Sequence, residues 1–300
     1  MPARSSAASS TTRCDSTIPW VASVTPSRLA RTSWDVLQKD RELALLPVLS
    51  VLLTLLVLAV FVVPGLMAVD WDGFDQRSVD EEPAIPALSY LLFVLGGAAA
   101  AIVNVFFVGA LVAGAHERLS GGDPTVRSSI ARAYARIPGL VPWALLSFTV
   151  VNILRALRER LGNLGNIIFG AVEVGFDVAA FLTIPAIVID DKGPVDGFKT
   201  SARLLRTTWG ENLAARVGFG LLGFVAVLPA VLLIVFIGAA GSAVVTVIGA
   251  VVVAVYVGIV FAVVSAMSGI FQAALYLYAT TGTAPTGFEN AELGSSFARR

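Results

Sequence analysis

Six stretches of 18 to 38 residues carry only four charges among them, and this feature constrains the fold more than any other. About 20 apolar residues in a helix rising 1.5 Å each cross the ~30 Å of bilayer hydrocarbon. The runs are residues 44–69, 84–115, 140–157, 167–189, 214–240 and 242–279. Composition agrees, with 56% hydrophobic and 14% charged residues. A soluble domain has roughly 25% charged residues, so this chain lacks the polar surface to wrap its apolar content. The expected fold is an all-α polytopic membrane bundle of six transmembrane helices.

Residues 1–26 hold Ser, Thr and Ala without an apolar run and read as a disordered tail. The integral membrane domain then covers residues 27–282, and residues 283–300 form a C-terminal tail. The last run would reach roughly 55 Å as one helix. It reads as a single tilted helix, because residues 265–269 contain no charge, Pro or Asn at which to turn; two short spans turning there, which would make seven in all, are the alternative. Gly96-Gly97 in the second run marks a kink.

Basic residues beside the spans set orientation. With the N-terminus inside, 17 of the 21 Lys and Arg residues fall on the cytoplasmic side, and Arg77, Arg155, Arg158 and Arg160 fall outside. Both termini are therefore expected in the cytoplasm.

The cytoplasmic connections have helical periodicity. Asp123-Pro124 reads as a cap with Pro at the first helical position, and Val126, Ile130, Tyr134 and Ile137 form an apolar stripe. Arg127, Arg132 and Arg136 lie off that stripe. Pro194 opens a second segment, with Phe198, Ala202, Leu205 and Trp209 on one face and Lys199, Arg203 and Arg206 beside it. Such helices suit the bilayer interface, where the six cations and Trp209 would meet anionic lipid. Packing against the bundle end is the alternative, and the two are compatible. A rougher version around Ala30, Trp34 and Leu37 precedes the first span, so amphipathic helix plus two spans recurs three times.

Several landmarks resemble an uncharacterised family of prokaryotic integral membrane proteins. They are Ser33-Trp34-Asp35-Val36-Leu37 with Leu45-Leu46-Pro47-Val48-Leu49, then Ile184-Pro185-Ala186-Ile187-Val188 with Gly193-Pro194, Ser201 and Trp209-Gly210, and finally residues 274–282. More broadly the chain is similar to the superfamily that includes the membrane domain attached to some glycerophosphodiester phosphodiesterases. The resemblance implies a fold and brings no functional residues with it.

Chemistry has little raw material here. Cys14 and His116 are the single cysteine and histidine, and no serine-elbow or zinc-helix motif occurs, so no enzyme, metal or cofactor is expected. The 21 basic and 21 acidic residues cancel and offer nucleic acid no attraction. Glu173 and Asp177 stand four apart on one face of the fourth span, where a carboxylate costs about 2.5–3.5 kcal/mol to insert. In an antiparallel hairpin, Asn152 and Arg155 fall at the depth of Glu173, and Ser147 at that of Asp177. The carboxylates are either a relay for a solute or ion, or a polar network that packs helices. Asn104 in the second span raises the same question. The chain reads as a structural or partner-binding membrane component, with a small-solute or ion transporter as the alternative. Oligomeric state is open.

Overall fold

The computed structural model describes residues 33, 41–69, 86–208, 226–231, 233, 243–283 and 285. A short 3-10 turn at Arg41–Ala44 leads into α1, Leu45–Met67, whose Pro47 lies in the first turn where no ladder hydrogen bond is lost. Pro86 precedes α2, Ala87–Leu119. This helix runs unbroken through Gly96-Gly97. The glycines admit aromatic rings. A Cβ on Gly96 would stand 2.8 Å from Phe61 of α1, and one on Gly97 would stand 3.0 Å from Phe148.

After a left-handed turn at Gly121 (φ +86°), Thr125 caps α3, Val126–Ala135. The Thr125 side chain accepts the Ser128 N–H while Ser128 Oγ accepts the Thr125 N–H, a reciprocal capping box. The cap is thus Thr125 rather than the expected Asp123-Pro124. Pro138 sits in the opening turn of α4, Ile137–Arg160. The third span is therefore longer at both ends than residues 140–157.

The fourth run is two helices, α5 at Gly162–Ala180 and α6 at Thr183–Asp190, rather than one uninterrupted span. Next comes the amphipathic helix α7, Pro194–Thr208. Most of residues 214–240 lie outside the described residues. Within that run, residues 226–231 and 233 are helical and pack on the last helix, where Ala230 and Val253 are buried together. That helix, α8, is Ala243–Thr281, a single 39-residue helix that passes straight through residues 265–269.

No strand occurs among the described residues. Five of the described segments are long and apolar enough to cross a membrane: Glu42–Met67, Ala87–Leu119, Ile137–Arg160, Ile168–Asp190 and Val255–Thr281. Their packing is uneven. The fully buried large side chains include Leu43, Leu46, Leu140, Ile187, Ile270 and Tyr276. These come from the turn before α1, the starts of α1 and α4 and the ends of α6 and α8, so alternate helix ends meet at one pole of the bundle. The same pole carries α3 and α7 and is called the basic end here. Toward the other pole apolar side chains face outward, Met67 at 81% and Leu88 at 58% exposure, as lipid-facing surface does.

The α3 face turned to the bundle is Ser129 and Ala133, both fully buried, with Val126 and Ile130 partly so. Tyr134 is 69% exposed, so the expected stripe is rotated by about one residue. The cause lies opposite, where Gly114 of α2 leaves room only for small side chains and a Cβ there would collide with Ser129 Oγ and Leu43.

Candidate functional site

Polar side chains inside the spans gather at three places. The first is the α4–α5 hairpin. Arg155 and Arg158 lie three apart on α4, so their side chains rise on one face. Glu173 of α5 answers both. Its Oε1 is 3.5 Å from Arg155 Nε and its Oε2 is 3.3 Å from Arg158 Nη1. Arg155 is the partner the hairpin register predicts, and Arg158 escaped that reading although its spacing from Arg155 pointed to it.

Asn152 and Ser147 bond within their own helix instead. Asn152 Nδ2 donates to the Phe148 carbonyl of its own helix at 2.7 Å. Ser147 Oγ donates to the Trp143 carbonyl at 2.8 Å, not toward Asp177. Asp177, one turn after Glu173 on α5, is exposed. Asn104 is also exposed and makes no side-chain hydrogen bond among the described residues.

The second place is the interruption between α5 and α6. Pro185 has no N–H and its ring crowds the carbonyl four residues back, that of Phe181. The helix responds by tightening, with Phe181 N–H donating to the Val178 carbonyl three residues back at 3.1 Å. That leaves the Leu182 N–H without its ladder acceptor, in an apolar surrounding where an unmet donor costs several kcal/mol. Ser201 of α7 takes it, with Leu182 N–H donating to Ser201 Oγ at 2.9 Å and both residues fully buried. Beside this bond three rings stack. Trp143 of α4, Phe176 of α5 and Phe198 of α7 have centroids 5.5–6.2 Å apart and planes within 30° of one another. Neither the interruption nor the ring stack was foreseen, although Pro185 and Ser201 both stood out as landmarks.

The third place is the basic end. Asp190, at the close of α6, accepts from the Tyr276 hydroxyl at 2.6 Å and from Lys192 Nζ at 3.0 Å. Asp191 follows in a left-handed conformation (φ 55°) and pairs with Arg136. Arg132 pairs with Glu117 at 3.2 Å, and Lys199 with Asp196 at 3.8 Å. Of the cations expected to meet lipid, Arg132, Arg136 and Lys199 thus already have carboxylate partners. Arg127, Arg203 and Arg206 are exposed, and Arg127 and Arg206 make no ion pair among the described residues. Trp209 lies outside the described residues. No group of three or more His, Cys, Asp or Glu side chains is placed to hold a metal ion among the described residues.

The model of a family of unknown function, DUF6159, matches residues 87–288, which is 202 of the 300 residues. The chain belongs to the DUF6159 family. The match takes in α2 through α8, with Pro185, Pro194, Ser201 and the closing residues 274–282, while α1 and the Ser33–Leu37 motif precede it. The DUF6159 domain therefore contains all three polar clusters. No curated protein and no solved structure matches the chain.

Proposed function

We propose that this DUF6159 protein is a multi-pass component of a prokaryotic cytoplasmic membrane that acts by binding, to lipid and to a partner, and not by moving solute or by catalysis. The observation that carries this reading is the engagement of Glu173. Each of its oxygens faces an arginine of the neighbouring helix, so the carboxylate fastens a hairpin. The Ser201–Leu182 bond and the Tyr276–Asp190 bond likewise join one helix to another.

In the proposed topology the chain crosses the membrane six times with both termini in the cytoplasm. Packing of residues 226–231 beside the first half of α8 supports the sixth crossing, because the chain must return from α7 to the far pole. The basic end would then face the cytoplasm and its anionic headgroups. The sequence likeness to the membrane domain attached to some glycerophosphodiester phosphodiesterases fits a component that assists another protein.

A carrier using Glu173 and Asp177 is the competing reading. One observation favours it, the interrupted fourth span, since carriers build sites at broken helices. Here Ser201 and the three rings fill the space beside the interruption. Flux assays on proteoliposomes, with proton-sensitive dye and a panel of ions and small solutes, separate the two. The binding reading expects no flux above empty liposomes, and a flux abolished by Glu173→Gln would replace it with the carrier.

A further inference from the structure

Helix α7 has two faces with different occupants. The inward face bridges the interruption in the fourth span. Phe198 stacks on Phe176 of α5, and Ser201 holds Leu182 between the half-helices. Gly197 lies so near α6 that a Cβ there would stand 3.1 Å from Ile187 and 3.4 Å from Thr183. α7 thus grips both half-helices of the same span, as a splint grips both sides of a joint.

The outward face is net cationic, with Asp196 beside Lys199 as its carboxylate. Lys199, Arg203 and Arg206 are exposed and recur at i, i+4 and i+7, one side of the helix. The apolar face is already committed to protein, with Leu205 7% exposed. Val195, 50% exposed, is the large apolar side chain of α7 that faces out. Among the described residues of α7, this surface therefore offers an occupant charge more than apolar area. Three residues separate the end of α6 at Asp190 from the start of α7 at Pro194. That short link keeps α7 at the level where the fourth span leaves its apolar layer, which is where lipid phosphates lie.

We infer that the outward face of α7 binds anionic lipid headgroups, and that this contact fixes the position of α5 relative to α6 through Phe198 and Ser201. The inference rests on the lipid-binding reading above and adds a mechanical consequence to it. Moving α7 shifts the ring stack and the Leu182 acceptor together, so α5, which carries Glu173 and Asp177, follows.

The test uses the full-length chain with Cys14→Ser, in nanodiscs of phosphatidylcholine with or without phosphatidylglycerol. Spin labels at Tyr134→Cys on α3 and Val172→Cys on α5 replace exposed side chains, at 69% and 47% exposure. Double electron–electron resonance gives their distance distribution. In separate samples, spin-labelled phosphatidylglycerol and phosphatidylcholine report which lipid the protein retains. The wild type should prefer phosphatidylglycerol several-fold, and its 134–172 distribution should narrow when that lipid is present. Lys199→Gln/Arg203→Gln/Arg206→Gln, which alters exposed residues alone, should lose both effects. Ser201→Ala should keep the lipid preference yet give a broad distribution in both membranes. Absence of any lipid preference overturns the lipid-binding reading and this inference with it, and leaves the basic face to an acidic protein. A preserved preference with identical distributions in the two membranes overturns the coupling alone. A triple variant that still narrows with phosphatidylglycerol shows that α7 is not the route.

Discussion

The hydroxyl of Tyr276 donates to Asp190 Oδ2 at 2.6 Å, joining the last turns of α8 to the end of α6 across 86 residues of chain. Tyr276 is fully buried, so its phenol needs a partner, and Asp190 supplies one without leaving the aqueous edge of the bundle. Lys192 lies 3.0 Å from the same carboxylate oxygen, so the two acceptor contacts converge on one atom beside the apolar core. This junction closes the basic end.

Replacing Tyr276 by Phe keeps the ring and removes the bond. A hydrogen bond to a charged group is worth about 1.5–3 kcal/mol, and the lower end applies because Lys192 still holds Asp190. Thermal unfolding in detergent should therefore show a lower midpoint for Tyr276→Phe with unchanged helix content. An unchanged midpoint would mean that the bond contributes nothing net.

Ser201→Ala should destabilise by about 1–3 kcal/mol, the cost of a buried N–H left without an acceptor. Pro185→Ala restores a ladder donor and lets the turn around Leu182 close on itself. The penalty for Ser201→Ala should then shrink in a Pro185→Ala background, a coupling that a double-mutant cycle measures directly. Additive penalties would detach Ser201 from the interruption.

Glu173→Ala should loosen the α4–α5 hairpin modestly, since Arg155 is 56% exposed and water screens part of the attraction. A cycle with Arg155→Ala should give a coupling of about 0.5–1 kcal/mol. The hairpin should also become more open to limited proteolysis near Leu161. Zero coupling would assign the clamp to Arg158 alone.

Orientation is checked with single cysteines in a Cys14→Ser background. Leu161→Cys, at the tip of the α4–α5 hairpin, should react with an impermeant maleimide on intact cells. Arg127→Cys, on the outer face of α3, should react after permeabilisation only. The opposite pattern inverts the proposed topology.

Much of this architecture was legible because a bilayer crossing leaves a coarse mark, a run of apolar residues long enough to be counted. The runs at 44–69 and 84–115 correspond closely to α1 and α2. Contacts set by a single backbone group left almost no mark. Pro185 stands amid apolar residues that look like any span, and its effect appears only when the displaced Leu182 N–H is traced to a serine 19 positions on. The rotation of α3 was hidden for a related reason. A stripe drawn by hydrophobicity selects Tyr134, whereas the surface it would meet has at its centre a glycine, Gly114, and accepts Ser129 and Ala133. The Glu173 site lay between these extremes, because opposite charges at matching depth in a hairpin identify Arg155 and pass over Arg158.

The bond between Leu182 and Ser201 also bears on how the protein is made. Leu182 leaves the ribosome 19 residues before Ser201 does. While the fourth span is emerging, the atom that will satisfy its exposed amide is still inside the ribosome. Until α7 has emerged and docked, the span holds a donor without its acceptor, at a cost of several kcal/mol in hydrocarbon. Secure insertion of that helix waits for release of the helix that follows it.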